Sequence, residues 1–95
     1  MYVRVVRFTD VSPERIEESL ARIAESDGPP EGVSMASLTL LFDAEQRTAV
    51  VLQHFNTVED MQAGARVFSA MDASETPGTR ASVDICEVKL ELNAP

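Results

Sequence analysis

The chain has one cysteine, one histidine, one lysine and no tryptophan among its 95 residues. A lone thiol, Cys86, excludes an intrachain disulfide framework and a thiolate metal cluster. With His54 as the single imidazole, a histidine-rich metal centre and a Cys–His–Asn triad are equally poor readings. Basic residues are scarce: 8 against 16 acids, for a net charge of −8. Phosphate backbones and anionic lipid surfaces call for the opposite balance, so nucleic acid and membrane are excluded as partners. No apolar run approaches the roughly 18 residues of a membrane span. The opening Met1-Tyr2-Val3-Arg4-Val5-Val6-Arg7 carries arginines within its apolar stretch and has no secretory pattern. A cytoplasmic, reducing location is the expectation. No glycine-rich phosphate loop occurs, and nothing points to a bound cofactor or metal.

The composition is otherwise that of a folding sequence, 44% hydrophobic and 25% charged. The length suits a single domain over residues 1–95. Residues 2–8 are β-branched and aromatic and read as a strand. Ser12-Pro13 is an N-cap followed by proline at the first helical position. The helix behind it carries Ile16, Leu20, Ile23 and Ala24 at i, i+4, i+7 and i+8, and Asp27-Gly28-Pro29-Pro30 ends it. A strand over 33–42, a polar turn at 43–46 and a strand over 47–55 form a hairpin. Thr57-Val58-Glu59-Asp60 caps a second helix with Val58, Met61, Ala65, Phe68 and Met71 on one face. A turn-rich loop at 74–80 leads to a last strand over 81–92. The βαββαβ order predicts an α+β, ferredoxin-like subunit with a four-stranded antiparallel sheet and both helices on one face.

The strands do not alternate cleanly between apolar and polar residues, as a water-facing sheet would. Val3 and Val5 occupy one parity of the first strand, and Tyr2, Val6 and Phe8 the other; the third strand behaves likewise. The helix-free face is therefore expected to meet a second copy in a homodimer, whose eight strands could enclose one small hydrophobic ligand.

In this order, Met1-Tyr2-Val3-Arg4-Val5, Arg15-Ile16-Glu17-Glu18, Phe55-Asn56-Thr57-Val58-Glu59-Asp60-Met61, Ser82-Val83-Asp84 and Glu87-Val88 resemble the dimeric α/β-barrel superfamily, in its antibiotic biosynthesis monooxygenase-like branch. The resemblance spans nearly the whole chain. It implies a dimeric α/β barrel and an oxidoreductase needing no cofactor, acting on a hydrophobic or aromatic molecule in the barrel cavity. The alternative is a non-catalytic dimer that binds a small molecule or serves a structural role. The haem-degrading members use a strand-one asparagine, a tryptophan at the strand-three junction and a helix-two histidine. Here Val6 and Phe55 stand at the first two positions, and residues 57–73 contain no histidine.

The resemblance also implies that the parity of Tyr2, Arg4, Val6 and Phe8 points into the barrel. Arg4 could then clamp a carboxylate or enolate oxygen, or pair with one of the 16 acids. His54 is the obvious general base by pKa, but alternation sets it opposite Phe55, which favours a structural role. Gln53 and Phe55 are expected to line the cavity with Ser37 and Thr39, the polar groups orienting a ligand and Phe55 stacking on it or filling the core. Tyr2 and Arg4 complete the candidate binding set. Arg4 and His54 are the two catalytic candidates. Cys86 reads as a small buried hydrophobe.

Overall fold

A computed structural model of the chain describes residues 1–94. Strand β1 (Tyr2–Thr9) leads to helix α1 (Pro13–Glu25), strands β2 (Ser37–Asp43) and β3 (Thr48–Phe55), helix α2 (Val58–Ser69), a 3-10 turn (Ala73–Glu75) and strand β4 (Thr79–Glu87). The strands form one sheet in the order β2-β3-β1-β4, every neighbouring pair antiparallel. This is the ferredoxin-like βαββαβ arrangement.

Local chemistry sets the helix starts. Ser12 Oγ accepts from the Arg15 N–H at 3.2 Å, with Pro13 supplying a helical φ and no orphan donor. Thr57 Oγ1 does the same for the Asp60 N–H at 3.1 Å. The β2–β3 turn is held by Asp43, whose carboxylate accepts from the Gln46 backbone at 3.1 Å and its side-chain amide at 2.8 Å. Those bonds hold the Asp43 carboxyl below the usual carboxylate range. Arg47 completes the turn with a φ of 55°.

Register assigns the two faces. Arg4, Val6 and Phe8 pair with Gln53, Val51 and Ala49. Ile16 of α1 joins Val6, Phe8, Val11 and Ala49 in one buried cluster. Phe55 joins Val33 and Met61 of α2 in a second. The even parity of β1 therefore lies beneath the helices, and Val3, Val5 and Arg7 face the other way. On that helix-free face Val3 sits opposite His54, Val5 opposite Leu52 and Leu41 opposite Val50.

Two boundaries differ from the sequence reading. Regular pairing on β2 begins at Ser37, because Val33 turns inward to the α2 cluster and its N–H bonds the Pro30 carbonyl. The final strand ends at Glu87 rather than near residue 92. Beyond it, the Val88 N–H still reaches the Met1 carbonyl at 2.9 Å, but Leu90 and Leu92 stand exposed. Cys86, expected to be buried, is exposed. It pairs with Val3 on the edge strand β4, which sets it on the helix-free face where nothing in the chain packs over that edge.

Candidate functional site

A cleft of about 170 Å³ lies between the sheet and the helices. Val6 and Phe8 of β1, Val51 of β3, and Leu38 and Leu40 of β2 make its apolar floor. Phe68 at the end of α2 and Met71 just after it close one wall, and Ser19, Arg22 and Ile23 of α1 form the opposite one. Glu75, Thr76, Pro77 and Arg80 complete the rim. The cleft exists because α1 does not lie flat on the sheet. Only Ile16 of its apolar stripe is buried, while Leu20 and Ile23 remain 44% and 45% exposed.

Arg4 is the unusual residue of this site. It is 2% exposed, yet its guanidinium faces no carboxylate. Nη1 donates to Gln53 Oε1 at 3.0 Å, and Nη2 donates to Ser69 Oγ at 3.3 Å. The Phe68 ring lies beside it, 5.9 Å from Cζ to the ring centroid. The Nε donor is buried and has no partner. Burial, helped by repulsion from Arg80, lowers the Arg4 pKa from its ordinary value. Guanidinium remains the charged species at neutral pH all the same. Gln53, at 5% exposure, uses its carbonyl oxygen to hold Arg4 in place.

Two more guanidinium groups reach the rim. Arg22 donates to the Glu75 and Ser74 carbonyls at 2.7 and 3.4 Å, and Arg80 donates to the Phe68 carbonyl at 3.2 Å. Arg15 donates to the Thr76 carbonyl nearby. Three cleft-lining arginines against the single carboxylate of Glu75 give this cleft a positive character that the chain as a whole lacks.

The residues expected to act together are divided by the structure. Arg4 and Gln53 meet in the cleft wall. They face the helices of their own chain, so the cavity beside them is not enclosed between two sheets, as the barrel reading implied. Phe55 is 0% exposed and packs against Val33 and Met61, outside the cleft lining. Tyr2, half-buried, packs on that same cluster. Ser37 and Thr39 pair with His54 and Leu52, which sets them on the helix-free face. His54 is half-buried on that face, opposite Val3. Among the described residues, no group of three or more His, Cys, Asp or Glu side chains could hold a metal ion. No helix is long and apolar enough to cross a membrane.

The sequence reading missed Leu38, Leu40, Phe68 and Met71 as cleft residues. The hairpin contained a signal for the first two. Asp43 pairs with Thr48 across an even number of turn residues, so odd positions on β3 share a face with even positions on β2. That puts Gln53 beside Leu38, not beside Ser37 or Thr39. Phe68 and Met71 carry no such signal, because a stripe at helical spacing is equally a core stripe.

No family model and no curated protein matches the sequence. Solved structures do match in shape. A mutant of MhuD with two manganese protoporphyrin IX molecules bound per active site aligns with a TM-score of 0.63 at 19% identity, covering 99% of this chain and 100% of that one. A candidate antibiotic biosynthesis monooxygenase from Deinococcus radiodurans aligns with a TM-score of 0.62 at 17% identity, covering 100% and 99%. A porphyrin does not fit the residues here. The cleft, about 170 Å³, is of the order of an apolar cavity that takes one benzene ring. His54, the only imidazole, is on the far side of the sheet from the cleft. Agreement in shape over essentially the full length of both chains shows that this chain shares the ferredoxin-like βαββαβ fold of these two structures.

Proposed function

We propose that the helix-side cleft binds a small hydrophobic molecule about the size of one aromatic ring, and that the chain acts on it as a cofactor-independent, monooxygenase-like enzyme. The observation that carries the reading is the cleft itself: an apolar floor beside a buried guanidinium with no carboxylate partner. A phenolate or enolate is the electron-rich species that can itself reduce dioxygen. Arg4 would favour that oxyanion and hold it, while Gln53 keeps the guanidinium oriented. Tyr2, Ser37, Thr39 and Phe55 have no direct part in this reading, since they lie outside the cleft lining. Oxygen consumption with dihydroxyaromatic compounds tests it. Turnover that Arg4→Met abolishes supports the proposal, and no turnover by a protein that binds the same compounds rules out the catalytic half.

One observation favours the alternative of a non-catalytic binding protein. Among the described residues Glu75 is the only carboxylate lining the cleft and His54 is outside it, so no buried general base of theirs stands beside a ligand. We further infer that residues 1–95 form a single domain that pairs with a second copy through the helix-free face. Val3, Val5, Leu41, Val50 and Leu52 lie together there, and apolar sheet faces of this kind mark interfaces. Light scattering giving twice 10.4 kDa at micromolar concentration is the expected result. A cytoplasmic location suits the free, exposed thiol of Cys86.

A further inference from the structure

We propose that the ligand of the cleft is an aromatic monocarboxylate whose carboxylate binds Arg4. This rests on the reading of the cleft as a small-molecule site and names the charge and chemical class of what enters it, a carboxylate taking the Arg4 donors in place of the phenolate or enolate of the catalytic reading.

A guanidinium has five N–H donors in a planar fork. In Arg4 one Nη1 donor is used by Gln53 and one Nη2 donor by Ser69, both neutral acceptors. The buried Nε–H has no partner among the described residues. A buried cation without a counter-charge is costly, and sites keep such groups where a ligand supplies what is missing. A carboxylate in the cleft matches the fork geometry of a guanidinium and would supply the missing charge. The shortage is not confined to Arg4. Arg22 and Arg80 line the same cleft and bond only backbone carbonyls. Arg80 stands close enough to disfavour the charge on Arg4. An anion between these groups would relieve that repulsion.

The rest of the cleft limits the body of the ligand. Its floor and one wall are Val6, Leu40, Val51, Phe68 and Met71, which offer no polar partner for a sugar or a nucleotide. The volume of about 170 Å³ admits one ring. A single anionic head on a single apolar ring uses every part of this wall.

Calorimetric titration of the whole chain with benzoate and with benzamide, its neutral counterpart of nearly equal shape, tests the proposal at fixed ionic strength. Benzoate is expected to bind about ten- to a hundredfold tighter than benzamide, the range of a charge-assisted hydrogen bond. Arg4→Met is expected to reduce that ratio to about one, the larger loss falling on benzoate. Equal affinities in the unmodified protein overturn the charge assignment and leave the aromatic cleft standing. If neither compound binds at millimolar concentration, the inference and the reading of the cleft fail together. If Arg4→Met does not fold, the comparison within the unmodified protein still decides the charge of the ligand. Arg4→Lys, which keeps the charge and loses the fork, then decides the part of Arg4: a benzoate preference unchanged by Arg4→Lys overturns its assignment.

Discussion

Gly64→Ala isolates how firmly α2 is seated on the sheet, since two known effects oppose each other there. Alanine is the better helix former by about 1 kcal/mol, so at an exposed position in a helix this change stabilises. At Gly64 a Cβ would lie 2.7 Å from both Cε1 and Cζ of Phe55 and 3.6 Å from Val33 Cγ1. Carbon atoms prefer about 3.5–4.0 Å, so the ring must retreat by about 0.8 Å or more. Phe55 is 0% exposed and enclosed by Val33 and Met61, which leaves it no free direction. Overpacking of this kind costs about 1–3 kcal/mol. The strain exceeds the propensity gain, and the expected net loss is about 1 kcal/mol, or roughly 4–8 °C in Tm for a domain of this size. Thermal unfolding followed by circular dichroism measures it. Combining the change with Phe55→Leu removes the colliding ring atoms, so the double variant should lose less than the sum of the two by about 2 kcal/mol, the strain relieved. A Tm that rises with Gly64→Ala alone would refute the contact between Gly64 and Phe55, and with it the position of α2 over the sheet.

Four further outcomes are expected. The lowered carboxyl pKa of Asp43 stabilises the β2–β3 turn above the ordinary carboxylate range, and this is lost as pH falls through the lowered folded value; Asp43→Asn should flatten the fall of Tm in that acidic window, and an unchanged slope would count against it. Ser12→Ala removes the acceptor of the Arg15 N–H and should cost about 1 kcal/mol in denaturant unfolding. Leu52→Glu places a charge on the helix-free face opposite Val5, and sedimentation should then find monomer where the proposed pairing makes the parent chain run as a dimer. His54→Gln, across the sheet from the cleft, should leave benzoate affinity within about twofold in the same titration, well below one charged hydrogen bond.

The parts of the fold legible in the sequence are those governed by local chemistry. Ser12-Pro13 and Thr57 mark their helix starts because side-chain oxygens satisfy orphan N–H groups a few residues away. The strand order follows from six elements that connect in few ways. What could not be read locally was which face each strand presents, since apolar residues stand in both parities of β1 and β3. Phe55 shows the difficulty. It shares a face with Gln53 by alternation, yet it falls beneath α2 while Gln53 falls beside the open cleft, and only the placement of the helices separates them. That Arg4 has neutral partners and no carboxylate among the described residues was equally hidden, because such a lack is a fact about every neighbour at once.

The open space beneath α1 has a structural cause. A helix carrying Ile16, Leu20 and Ile23 on one stripe should settle onto the sheet until all three are buried. Here only Ile16 does, and two arginines of the same helix account for the difference. Arg15 bonds the Thr76 carbonyl, and Arg22 bonds the Glu75 and Ser74 carbonyls, so α1 is tied to the segment before β4 along its length. That segment is itself fixed at Gly78, where any Cβ would lie 2.4 Å from the Thr9 carbonyl oxygen. The helix is thus held at the sheet by Ile16 and held away from it by the arginine ties. Arg22→Ala should let α1 settle, bury Leu20 and Ile23, and raise stability through the added apolar burial while weakening benzoate binding. A variant that loses stability and binding together would mean that the ties support the helix and do not hold the cleft open.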